Sequence, residues 1–252
     1  MNLSLILADA SLYTSEYFGN ATSFTFFVGC MAMMAASVFF FFEMSNVDKK
    51  WRTSLLVSGL ITFIAFVHYY YMRDYYLATG QSPVDFRYVD WTLTVPLMCV
   101  EFYLITKKAG GTMGLLWKLI GASVVMLVAG YLGETATQAA GTATPAALWG
   151  LLSGLAYFYI VYLVFSGEVK QLADKAGGAV ADANKWLGRF VLVGWAIYPI
   201  GYMIGTAGWY GDVGEIFGMS YSMDVLYNIG DAINKIGFGL VIYALAVKDS
   251  NS

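Results

Sequence analysis

Five ionisable residues stand inside long apolar runs of this 252-residue chain: Arg87, Asp90 and Glu101 in one run, Asp231 and Lys235 in another. An ionisable group at the centre of a bilayer costs roughly 2.5–3.5 kcal/mol on insertion scales, so it is kept there for pairing or for function. Asp231 and Lys235 are four residues apart and share a helix face; Arg87 and Asp90, three apart, share another. Asp90 and Glu101 are eleven apart, which is within about 20° of three full turns and roughly 16 Å along a helix axis. Thr94, at i+4 from Asp90, falls on the same line, and its hydroxyl can bond a carboxylate or a backbone carbonyl. Two carboxylates along one face suit proton relay through a low-dielectric interior. A lysine buried at mid-span loses its charge readily and can form a Schiff base with a carbonyl compound. Once protonated, that imine needs a counter-ion, which Asp90 or Asp231 can supply. Arg87, Lys235, Asp90 and Asp231 sum to zero charge, provided that Lys235 and Asp231 face the second and third spans. Structural ion pairing between helices is the other use of the same five residues.

The elements that must hold these groups follow from composition. The chain is 59% hydrophobic and only 12% charged, against about 25% charged in an ordinary soluble domain. This excludes a disordered chain, a nucleic-acid binder and a disulfide scaffold; Cys30 and Cys99 sit in apolar runs as small core residues. Seven runs are long enough to cross a bilayer: Ala21–Phe42, Thr53–Met72, Phe86–Thr106, Met113–Gly133, Ala146–Gly167, Phe190–Gly211 and Val225–Val247. Each must be helical, because lipid offers backbone groups no other partner. The fold expected is an all-α seven-helix membrane bundle at 21–247, with an outer tail at 1–20 and a cytoplasmic tail at 248–252. Met1–Ala8 has no basic residue and reads as part of that outer tail, not as a signal peptide.

Eleven of the fourteen basic residues fall on one side of the seven runs, which places the C-terminus in the cytoplasm and the N-terminus outside. The fifth-to-sixth connection, Glu168–Arg189, reads as a solvated, partly helical loop. Glu134 and Asp224 lie near span ends, where a carboxylate can snorkel to the surface. Glu134 and Glu215 are the acids available near the outer side.

Three ordered motifs now carry a resemblance. Arg87-Tyr-Val-Asp90-Trp91-Thr-Leu-Thr94-Val-Pro96 resembles the third helix of microbial (type 1) rhodopsins, Trp195-Ala-Ile-Tyr198-Pro199 their sixth, and Asp231-Ala-Ile-Asn-Lys235 their seventh. His68, Asp90, Thr94 and Glu101, together with Gly130-Tyr-Leu-Gly-Glu134, are most similar to the proteorhodopsin branch of marine flavobacterial type. The resemblance spans about residues 17–248. It implies a light-driven outward proton pump that generates proton-motive force. Lys235 would hold all-trans retinal as a protonated Schiff base. Asp90 would be the proton acceptor and primary counter-ion, Asp231 the second counter-ion and Glu101 the cytoplasmic donor. Arg87 would carry the charge of the outer half-channel. Trp91, Trp195, Tyr198, Pro199, Tyr202, Gly130 and Ser153 would surround the polyene, Pro199 also kinking its helix. Met98 matches the colour-tuning site, where an apolar residue in place of glutamine implies green absorption. His68, the sole histidine, would bond the acceptor carboxylate and titrate with it; without the resemblance it reads as a satisfied core residue.

The same resemblance implies a homo-oligomer, pentamer or hexamer, in a bacterial plasma membrane. No metal site and no nucleic-acid partner is expected. Gly150 reads either as close helix packing or, as in some rhodopsins with glycine in place of a bulky ring, as the gap that admits a carotenoid antenna. A sodium pump would show Asn, Asp and Gln where this chain has Asp90, Thr94 and Glu101, and a chloride pump would lack the acceptor carboxylate. A photosensor would lack a carboxylate donor. Asp90 and Glu101 therefore favour protons.

Overall fold

The computed structural model describes residues 20–140, 143–205 and 223–250, and among them the chain is helical with no strand. Glu215 and the 206–211 end of the sixth predicted span lie outside the described residues. The helices are α1 Ala21–Glu43, α2 Arg52–Thr79, α3 Val84–Thr106, α4 Met113–Ala140, α5 Ala143–Phe165, α6 Glu168–Ala176, α7 Gly178–Arg189, α8 Ile197–Gly205 and α9 Met223–Ser250. Consecutive long helices pack side by side, and α9 closes the bundle against α1, α2 and the α7–α8 rod.

Among the described residues, six helices are individually long and apolar enough to cross a membrane. The sixth predicted span differs from the other six. α7, a π-helical turn at Phe190–Gly194 and α8 together make the rod. The expected loop Glu168–Arg189 is thus two helices. The second runs straight into the span and buries Ala183, Asn184 and Leu187, so only part of the segment is solvated. The irregularity lies ahead of Pro199, the residue expected to kink this helix. Trp195 N–H reaches back five residues to Phe190 O (2.9 Å). Pro199 has no N–H to give Trp195 O, and Tyr198 N–H takes that carbonyl instead (3.1 Å).

α2 runs about two turns beyond Met72 and stops at Gly80, whose φ of +67° is open to glycine. Large apolar side chains such as Phe42, Trp117, Leu155, Phe158 and Val193 are exposed around the bundle, as lipid contact requires. At one end, ion pairs tie neighbouring segments: Lys50 to Asp249 (2.5 Å), Lys118 to Glu168 (2.8 Å) and Lys248 to Asp182 (4.0 Å). The Asp249 carboxylate holds the Lys50 ammonium above the usual lysine range. Such exposed pairs add little stability. Their value here is that they gather the basic residues of separate loops at one end of the bundle.

Candidate functional site

The buried polar residues concentrate on α2, α3 and α9. Arg87, Asp90, Thr94, Glu101, Asp224, Asn228, Asp231 and Lys235 are all buried. The one-face spacing of Asp231 and Lys235 holds: Lys235 Nζ donates to Asp231 Oδ2 at 2.7 Å. It also donates across the bundle to Asp90 Oδ2 at 2.5 Å. Lys235 is 2% exposed, so both carboxylates meet it away from bulk solvent.

The two carboxylates differ in what else they receive. Asp231 Oδ1 accepts from Tyr198 Oη (2.6 Å) and Trp91 Nε1 (3.2 Å), and its Oδ2 accepts from Tyr69 Oη (3.2 Å). With Lys235 that makes four donors. Among the described residues, Asp90 Oδ1 has His68 Nδ1 at 3.5 Å and no hydrogen-bond partner. This is ion-pair distance without hydrogen-bond geometry, because the same nitrogen meets Ile64 O at 2.9 Å. Thr94 bonds the Asp90 backbone carbonyl (2.9 Å) and not a carboxylate. Tyr69, invisible to the motif reading, is fully buried one residue past His68. A lone tyrosine among Tyr69, Tyr70 and Tyr71 carries no signal of its own.

Arg87 turns away from the lysine. Its Nη2 donates to Asp224 Oδ1 (2.8 Å) and Asn228 Oδ1 (2.9 Å). Asp224 also accepts from Ser82 Oγ (2.7 Å) and is 7% exposed, so it is not the snorkelling surface acid its position suggested. The condition on the neutral sum is met, since Lys235 reaches Asp90 on α3 and Asp231 accepts from Tyr69 on α2, but the structure adds a fifth charged group, Asp224, to the four. Asp224 matches Arg87, and Lys235 faces two carboxylates with His68 alongside. Glu134 accepts from Tyr88 Oη (2.9 Å).

Glu101 is fully buried further along α3. Its Oε1 accepts from Ser58 Oγ (3.2 Å), and its Oε2 meets no protein partner.

A cavity of about 600 Å³ opens beside the lysine pair. Trp91, Gly130, Ser153, Trp195, Tyr198, Pro199 and Tyr202, all expected around a polyene, line it together with apolar residues such as Val95, Met126 and Leu127. Met98 is buried in the core but is not in the cavity wall. Trp91 and Tyr198 join cavity and ion pair: their rings form the wall, 4.7 Å between centroids, and their polar hydrogens bind Asp231. The volume and apolar lining suit one elongated hydrocarbon ligand, and the buried amine stands beyond the wall formed by these two rings. The residues present thus fit retinal. Gly150 also lines the cavity, but the Tyr202 ring fills the space over it: a β-carbon at Gly150 would come within 2.6 Å of Tyr202 Cε1. Tyr202 Oη is fixed on Ala146 O at 2.5 Å.

A bundle of seven helices around a buried lysine held by two carboxylates is a multi-pass membrane protein built to manage one charge in its interior. The chain belongs to the bacteriorhodopsin-like protein family, whose pattern matches residues 20–249. It is 44% identical over 245 residues to the green-light absorbing proteorhodopsin of Gamma-proteobacterium EBAC31A08, covering 97% of this chain and 90% of that one. It is 43% identical to the blue-light absorbing proteorhodopsin of Gamma-proteobacterium Hot 75m4, covering 90% and 87%. Among solved structures, xanthorhodopsin, described as a light-driven ion pump with dual chromophore, superposes with a TM-score of 0.74 at 32% identity, covering 92% and 95%. The chain is thus one of a family of light-driven ion transporters, not of enzymes, and retinal is the family's chromophore.

Proposed function

We propose that this protein is a light-driven outward proton pump of a bacterial plasma membrane, with retinal carried on Lys235. The observation that supports it best is the placement of Lys235 Nζ between Asp90 and Asp231, next to an apolar cavity. Retinal bound at Nζ supplies a light-driven change in the position and acidity of that nitrogen's proton.

The chain's own residues account for the rest. Asp231, with four donors, is saturated as an anion and stays the fixed counter-ion. Asp90, with the lysine nitrogen as its one hydrogen-bonded side-chain donor, is the carboxylate with room for a proton at Oδ1 or Oδ2. A proton leaving Nζ therefore goes to Asp90. Glu101, buried with one hydroxyl donor, is costly to ionise and holds a proton at rest. It lies three helical turns along α3 from Asp90, toward the end where the basic loops gather, so it refills the nitrogen from that side. By the charge bias of the loops that end is cytoplasmic, and Arg87 with Asp224 lies on the outward path.

The cavity's wall also reaches Gly150, Leu151 and Leu155 between α5 and α8. A carotenoid antenna there, resting on Tyr202, is part of the proposal. Absence of energy transfer from a hydroxylated carotenoid to retinal removes that part alone.

The pump reading is tested by expressing the chain with all-trans retinal and illuminating unbuffered cells. Acidification of the medium that an uncoupler abolishes is expected, and Lys235→Ala is expected to be colourless. A colourless wild type, a coloured Lys235→Ala or alkalinisation on illumination refutes it.

A further inference from the structure

We propose that Asp224 is a positioning residue that clamps Arg87 on the outer side, away from the Lys235 pair, and so sets the charge felt by Asp90. The inference rests on the proposed role of Asp90 as acceptor. Arg87 carries five N–H donors. Both of its side-chain bonds leave from Nη2, to Asp224 and Asn228, while its buried Nε and Nη1 bond no protein group. The guanidinium lies over both the Phe26 and Tyr227 rings, with Cζ 5.2 Å from each centroid, contacts that hold it by cation–π attraction but do not choose its hydrogen-bond partners. The choice is made by Asp224, itself anchored by Ser82 just ahead of α3, and by Asn228, which is braced on Thr25 Oγ1 at 3.0 Å. Without the Asp224 charge, the idle donors have Asp231, about two turns along α9, as the carboxylate on the Lys235 side, with Glu134 on the α4 side.

The groups facing this arrangement, among the described residues, are Tyr69 and His68 from α2, Glu134 from α4, Tyr198 from α8, and Tyr227, Asp231 and Lys235 from α9. None of them changes in the variants below. Removing the Asp224 carboxylate takes one negative charge about two helical turns from Asp231 and frees a positive one. Both effects favour the anionic form of Asp90.

The test is the absorption maximum against pH, measured on purified, retinal-loaded protein. Asp224→Asn is expected to move the acid colour transition of Asp90 to lower pH by on the order of one unit, a tenfold change in proton affinity. Asp224→Glu, which keeps the charge, is expected to restore most of it. Ser82→Ala is the milder variant if Asp224→Asn binds no retinal. With one anchor gone, the Asp224 carboxylate holds Arg87 less firmly, so a smaller shift in the same direction is expected. A midpoint for Asp224→Asn within about 0.2 unit of wild type, or one moved upward, overturns the proposal, as does an unmoved Ser82→Ala where that variant is the only one coloured. A wild type whose colour does not titrate overturns the acceptor assignment itself, and the two failures are thereby distinguishable.

Discussion

Replacing His68 with asparagine probes the one contact that reaches the open side of Asp90. His68 Nδ1 stands 3.5 Å from Asp90 Oδ1, and its side chain is 17% exposed. If the imidazole is charged, unit charges at this distance and an effective dielectric of about 20 interact by about 5 kcal/mol, equivalent to roughly 3.5 pH units of Asp90 protonation. That is an upper limit, since Ile64 O takes the same N–H at 2.9 Å and part of the ring faces out. If the imidazole is neutral, Asp90 loses only a weak dipolar contact with the ring, worth about 1 kcal/mol or less and under one unit. Both cases have the same sign: the histidine favours the carboxylate, so its removal makes protonation easier. The acid colour transition of His68→Asn should therefore move to higher pH, by about one to three units if the ring is charged and by less than one if it is neutral. Spectrophotometric titration of the retinal-loaded variant reads this directly. A midpoint unchanged within about 0.3 unit, or moved to lower pH, would refute the pairing. Asp224→Asn moves the same transition the other way, so the two variants together separate a partner of Asp90 from a clamp on Arg87.

Two further predictions rest on separate parts of the site. Glu101→Gln keeps the shape and the Ser58 contact but cannot give a proton, so the refilling step should slow by about 10²-fold or more and become proportional to proton concentration outside the site; flash photolysis at several pH values measures it, and an unaltered, pH-independent rate removes Glu101 as donor. Gly133→Ala would drive a β-carbon into Tyr202 Oη and bring it within 2.8 Å of Trp149 Cβ, forcing Tyr202 off Ala146 O. Overpacking of this kind costs about 1–3 kcal/mol, so thermal bleaching should begin roughly 3–10 °C lower; a variant as heat-stable as wild type contradicts the packing described.

Much of the bundle is legible in the chain because lipid removes the alternatives. Long apolar runs can only be helices, and the described part of each predicted span is helical. The exceptions are local. The sixth span's break was expected at Pro199, yet the π turn precedes it, because the proline's missing N–H is absorbed by Tyr198 while the wider turn closes between Phe190 and Trp195. The loop before it reads as solvated from its Ala, Gly, Lys and Asp content, but one face of α7 is buried against α5 and α9. Composition averages over a helix's faces and hides such a segment.

The sequence by itself determined which chemistry was available: a lysine and four other charges kept inside apolar spans, with Asp231 and Lys235 necessarily on one face. Spacing along one helix settles that much because it is a local property of 3.6 residues per turn. Only the tertiary structure decided how the donors were shared out. Tyr69 reaches Asp231 across 162 residues of sequence, and Arg87 finds Asp224 across 137. Neither pairing follows from periodicity, since each depends on how one helix is rotated against another. That rotation leaves Asp231 saturated, Asp90 open and Arg87 turned away from Lys235, three conditions that no count of charges contains.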